Sequence, residues 1–116
     1  MIFTKKDFIN IDGVKYPIKF NNKVFHEFTE QTKIKFFDFI QAGDLFNQNT
    51  TTLIFFALRE GYRIEGLTFD IKEEDIAAMD LDITTLFIEK MGEVIEKMGN
   101  GQKAVLQAEA NKKRKA

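Results

Sequence analysis

The dipeptide Asp12-Gly13 lies between two runs that alternate apolar and polar residues over Lys6 to Phe20. Asp-Gly is a leading pair for a two-residue type I′ turn, in which both positions take a positive φ, so the segment reads as a β-hairpin. If Ile11 pairs with Val14, then Ile9 opposes Tyr16, and Ile9, Ile11, Val14, Tyr16, Ile18 and Phe20 share one face. A lone two-stranded hairpin is marginal in water, so that face is expected to be covered by the following helices or by a second subunit. Pro17 is compatible because an edge strand can spare one N–H.

After the hairpin the period lengthens to that of helices. Asn21 or Asn22 can cap a helix from Lys23, whose stripe is Phe25, Phe28, Thr32, Phe36 and Phe39. A break within Thr32 to Lys35 divides it into two helices with a tight join, the second spanning Phe36 to Ala42 and stopped by Gly43. Phe46 to Asn49 reads as loop. Thr50, Thr51 or Thr52 then caps the most apolar stretch, Leu53 to Leu58, closed by Gly61 and expected to be central to the core. A loop over Tyr62 to Thr68 leads to a short acidic helix, Ile71 to Met79, capped by Asp70. Asp82 caps a last helix, Ile83 to Met98, with Leu86, Phe87, Met91, Val94, Ile95 and Met98 on one face, stopped by Gly99-Asn100-Gly101.

The expected fold is therefore α+β and mostly α: an N-terminal β-hairpin, four to five helices, and a single domain over residues 1–101. Residues 102–116 are richer in Ala, Gln and Lys and read as a flexible basic tail. With 116 residues, 44% hydrophobic and 13 Phe, the chain can fill one core. It has no Cys, hence no disulfide framework and no thiol chemistry. No apolar run approaches the roughly 20 residues that span a bilayer, and the start MIFTKKDF lacks a signal-peptide core, so neither membrane insertion nor export is expected.

Catalytic patterns are not apparent. His26 is the only His and has no partner of matching type nearby in sequence, so it reads as a partly exposed structural residue. Phosphate-loop, dinucleotide and serine-elbow motifs are missing from the sequence, and no cofactor or metal is expected. The run Glu73-Glu74-Asp75 is accounted for by the positive end of a helix dipole. Positions 103–116 hold five basic residues and one acid, which leaves 12 basic against 17 acidic elsewhere, a net charge of -5. Such an acidic body opposes nucleic acid, and the tail lacks interleaved aromatics, so a nucleic-acid regulator ranks lowest among the functional readings.

The Phe residues are the unusual feature. Eight of the 13 lie between Phe25 and Phe56, and the adjacent pairs Phe36-Phe37 and Phe55-Phe56 cannot all point into one small core. Surplus aromatic surface points to a partner or a subunit interface. The candidate contact residues are Phe36, Phe37, Phe39, Phe55 and Phe56, together with Phe87, Met91 and Met98 of the last-helix stripe.

The order of these elements resembles the small tail assembly chaperones of long-tailed bacteriophages and of gene transfer agents. The likeness runs from about Ile9 to Met98. A hairpin of the form DGxxYxIxF is matched by Asp12 through Phe20, and Val24 to Phe28 stand where the family has a helix motif like LxELE. A short LxxLL helix corresponds to Phe36 to Ile40, and a helix ending AxLRxG to Ala57-Leu58-Arg59-Glu60-Gly61. A stretch like LTxEEVxxL corresponds to Leu67 to Ile76, and the final amphipathic helix to Leu86 through Met98. The chain departs from the pattern at Lys33, where many members place a Gly, and in the polar loop around Phe46 to Thr50.

The resemblance implies a non-catalytic helper in the cytoplasm of a bacterial host, not expected in the mature virion. Such a protein binds the tape measure protein, keeps it soluble and helps recruit tail tube subunits. It also implies a longer form made by ribosomal frameshifting, for which Asn111-Lys112-Lys113 is compatible with an A-rich slippery run. The alternative reading is a small homo-oligomeric phage structural or completion protein whose spare Phe surface closes a ring.

Overall fold

The structure, a computed structural model of the chain, describes residues 4–97. Strands β1 (Phe8–Ile11) and β2 (Val14–Pro17) form an antiparallel hairpin. Five helices follow among the described residues: α1 (Asn22–Thr32), α2 (Phe36–Gln41), α3 (Gln48–Glu65), α4 (Glu73–Ala77) and α5 (81–97). The fold is α+β and mostly helical. Met98, the Gly99-Asn100-Gly101 stop and the tail from 102 lie outside the described residues.

Both turn residues take positive φ, Asp12 at 52° and Gly13 at 82°, as a type I′ turn requires. The register pairs Ile11 with Val14 and Ile9 with Tyr16. Of the six residues expected on the covered face, Ile9 and Ile18 are buried, and Ile11, Tyr16 and Phe20 are partly buried against the core. Val14 is instead exposed. It sits at the tip of the hairpin, beyond the helices that cover the base.

α1 begins where Asn21 Oδ1 accepts from the Val24 N–H at 3.1 Å. It ends at Lys33, whose φ of 62° is the left-handed conformation that Gly adopts without a Cβ penalty. The break thus falls inside the expected Thr32 to Lys35 window, and α2 follows directly. Phe25 stacks on Phe36 with centroids 4.2 Å apart, and Phe28 meets Phe39 at 5.1 Å, so the two helices share one aromatic cluster.

α3 corrects three expectations. Its cap is Asn47 rather than a Thr: the Asn47 side chain accepts from the Asn49 and Thr50 N–H groups, moving the start back to Gln48. Gly61 does not end it, and Tyr62 to Glu65, expected as loop, are its last turn before Gly66. Gly61 is interior because the chain after β2 crosses α3 there. A Cβ at Gly61 would lie 2.5 Å from the Pro17 carbonyl carbon and 2.6 Å from the Ile18 Cα. At the same crossing the Lys19 N–H donates to the Ala57 carbonyl at 3.0 Å. Glycine is therefore retained despite its helix cost of about 1 kcal/mol.

The last two helices also begin differently from expectation. α4 spans only Glu73–Ala77, and Asp75 rather than Asp70 stabilises its start by accepting from the Lys72 N–H at 2.8 Å. α5 starts at residue 81 instead of 83, because the Asp80 carbonyl already accepts from the Ile83 and Thr84 N–H groups. α3 packs against β2, α1 and α4. Leu53, Ile54, Ala57 and Leu58 on α3 join Val24 and Phe28, Phe39, Ile76, and Phe87 and Met91 in one buried cluster. α3 is not buried all round, since Arg59 is exposed. Lys90 pairs with Asp7 at 2.7 Å and ties α5 to the base of the hairpin.

Gly61→Ala should lower stability by about 1 to 3 kcal/mol, read as a lower urea midpoint with an unchanged slope, because the crossing strand has to move. Lys33→Gly should raise stability by up to about 1 kcal/mol in the same assay, by removing the left-handed strain.

Candidate protein-binding surface

The crossing that places Gly61 inside α3 also sets the residues on either side of it. Phe56, Arg59, Glu60 and Arg63 face Lys23 and Glu27 of α1, and with Leu67 and Phe69 of the α3–α4 loop they surround a cleft of about 240 Å³. Its floor is aromatic. Phe69 meets Phe55 at 5.4 Å and Tyr62 at 5.2 Å, and Phe55 meets Phe56 at 5.9 Å. The Arg59 guanidinium lies over Phe56 at 4.8 Å and over Phe55 at 5.4 Å, while it also bonds the Glu27 carboxylate. Leu67 stands at the rim, 53% exposed.

Glu60 anchors this arrangement. It is 4% exposed, and Arg63 donates to its two oxygens at 2.6 and 2.9 Å. Asn21 Nδ2 donates to it at 2.7 Å and the Lys23 ammonium lies at 3.8 Å. Asn21 therefore caps α1 with its oxygen and holds α3 with its nitrogen. The bonded Arg63 guanidinium lowers the Glu60 pKa from 4.5 to about 2, against the opposing effect of burial, with Asn21 and Lys23 adding to the lowering. A carboxylate so fully engaged is a fixture rather than an acid or base. Glu27 is likewise held by Arg59 and Lys23. The outward charge of the cleft is left to Arg59, Arg63 and Lys23, each about half exposed.

A second cleft of about 180 Å³, with no charged residue in its lining, lies at the other end of α3. Phe46, Ile54, Ile76, Met79 and Leu81 contribute to its lining, with Phe46 and Leu81 exposed by 56% and 70%.

The residues singled out from sequence are dispersed. Phe37 is the most exposed of them, at 62%. Phe55 and Phe56 are partly buried beside the Arg59 cleft, and Phe36 is partly buried in the stack with Phe25. Phe39, Phe87 and Met91 are core residues with no surface to offer a partner in this conformation. Met98 lies outside the described residues. His26 is exposed on α1. Arg59, Leu67 and Phe69 were not anticipated as contact residues. The signal for Arg59 is its spacing three and four residues after Phe56 and Phe55, which puts a cation on an aromatic helix face. Among the described residues no group of three or more His, Cys, Asp or Glu is placed to hold a metal ion, and no helix is long and apolar enough to cross a membrane.

Because the Glu60 carboxyl has a lower pKa folded than unfolded, the unfolded chain binds more protons between about pH 5 and 2. Stability from this group is present above about 4.5 and is lost as pH falls toward 2, by about 3 kcal/mol at most. Glu60→Gln should be less stable than the parent at pH 7, and the gap should narrow on acidification when urea midpoints are compared at each pH.

Comparison of the chain with protein-family models, with curated proteins and with solved structures returns no match.

Proposed function

We propose that the chain is a tail assembly chaperone of the long-tailed phage or prophage kind, which binds the tape measure protein without catalysis and helps recruit tail tube subunits to it. The colinear order of the motifs from Asp12-Gly13 to the last helix supports this reading. The observation that carries it is the Arg59 cleft: a cation seated on Phe55 and Phe56 beside an aromatic floor and an exposed Leu67. Arginine and aromatic residues dominate the energetic centres of protein interfaces. A cleft of this type accepts apolar side chains of an amphipathic helix, and its outward cations pair with carboxylates flanking that stripe. The segment Ala57-Leu58-Arg59-Glu60-Gly61 acquires a physical meaning here. Ala57 and Gly61 admit the crossing strand, Leu58 is core, and Arg59 faces the client.

The test is co-purification with the cognate tape measure protein, both at micromolar concentration. The parent should retain its client. Arg59→Ala and Leu67→Asp should each weaken binding about 10-fold or more while their thermal melts stay within a few degrees of the parent. Recovery of no tape measure protein by the parent, or detection of the chain as a stoichiometric component of purified virions, would contradict the assignment.

A further inference from the structure

The second cleft lies where the first turns of α3 meet α4 and the start of α5, and the client-binding reading does not use it. Its lining carries no charge. Phe46, Ile54, Ile76, Met79 and Leu81 supply apolar surface, and Thr50 lies among them. At about 180 Å³ it is smaller than the roughly 300 Å³ at which small-molecule sites begin, and it suits a single large apolar side chain.

Two observations bear on what accompanies that side chain. The first is charge. Residues 70–82 contain six acids, Asp70, Glu73, Glu74, Asp75, Asp80 and Asp82, and one cation, Lys72, a net charge of -5. Glu73 and Glu74 line an adjoining depression that shares Thr51 and Ala77 with the cleft, and Asp80 and Asp82 flank Leu81 in sequence. All six acids are exposed, and among the described residues none forms an ion pair with Lys or Arg. Glu73 accepts from the Thr52 hydroxyl, Asp75 from the Lys72 N–H and Asp82 from the Ile83 N–H, which leaves their charges without a counterion. The second observation is a buried polar group. Thr50 is 2% exposed, and its Oγ1 has no hydrogen-bond partner among the described residues. Buried hydroxyls are normally paired, and an unpaired one costs stability until a partner group arrives.

We propose that this cleft docks a basic segment of a partner protein, which inserts one large apolar side chain beside Phe46 and Leu81, offers a backbone polar group to Thr50 Oγ1, and sets flanking Lys or Arg against Glu73, Glu74, Asp80 and Asp82. The uncharged lining keeps the cations outside, because a charge moved into it would lose its hydration with no partner in return. The exposed acids attract such a segment and repel an acidic one. The preference is opposite to that of the Arg59 cleft, and it stands whether or not the client there is the tape measure protein.

The probe is a synthetic peptide with one Leu between pairs of Lys, added to the isotope-labelled full chain. The amide signals of Thr51, Ala77 and Leu81 should shift saturably, and those of Arg63 and Leu67 should stay in place. Changing the Leu of the probe to Ser should weaken binding about 10-fold or more. On the protein, Glu74→Lys and Leu81→Ser alter exposed residues, and each should weaken binding several-fold with the thermal melt unchanged. Thr50→Val is near-isosteric and should weaken binding roughly 3-fold while leaving the fold at least as stable. Equal affinity for the Leu and Ser probes would mean attraction without insertion and would overturn the proposal, as would shifts centred on the Arg59 cleft. Shifts of the same three amides on concentrating the chain alone would give the cleft to a second copy, and would overturn it too.

Discussion

The chain leaving β2 passes so close to α3 that only Gly61 fits beneath it, and the Lys19 N–H bonds the Ala57 carbonyl across the gap. Most of the architecture follows from this crossing. It covers the base of an otherwise marginal hairpin, burying Ile9 and Ile18. It delivers Asn21 to Glu60, so that one residue caps α1 and joins it to α3. With α1 placed in this way, Lys23 and Glu27 come opposite Arg59 and Arg63. A backbone-to-backbone contact of this kind sets the relative position of two elements more tightly than side-chain packing, which tolerates substitution of similar volume.

The aromatic residues divide into two groups with different duties. Phe25, Phe28, Phe36 and Phe39 pack on one another and weld the short α2 to α1. Phe55, Phe56, Tyr62 and Phe69 form a partly covered shelf on which Arg59 rests. Charge is divided as well. The cations of the Arg59 cleft are paired with Glu27 and Glu60, whereas the acids from Asp70 to Asp82 form no ion pair with Lys or Arg among the described residues. One end of α3 thus faces outward with positive charge over aromatic carbon. The other carries the acids of residues 70–82 beside the second cleft.

Local signals were legible where backbone sterics leave one choice. Asp12-Gly13 dictated the turn and with it the register, and the β-branched residues after Gln31 marked the break between α1 and α2. Signals failed where a tertiary contact overrode propensity. Gly61 reads as a helix stop in any single sequence, yet the passage of Pro17 and Ile18 requires it inside the helix. Three consecutive threonines look like caps, but Asn47, a stronger cap, lies just before them. The stripe of Phe87 and Met91 has the same period whether it faces a core or a partner, and only the position of α5 against the hairpin base settles it as core. The Arg59 cleft was invisible for a similar reason, since it joins residues from 23 to 69 that no local window contains.

The most direct test of this account is native-state hydrogen exchange at the Lys19 amide. If the crossing holds the fold together, that amide should exchange only through global opening, at the free energy found for the buried turns of α3 around Leu53 and Leu58. Exchange at the rate of the exposed Lys15 amide near the hairpin tip would mean that the strand lifts from α3 while the helices remain folded, and the crossing would then be a consequence of the fold and not its basis.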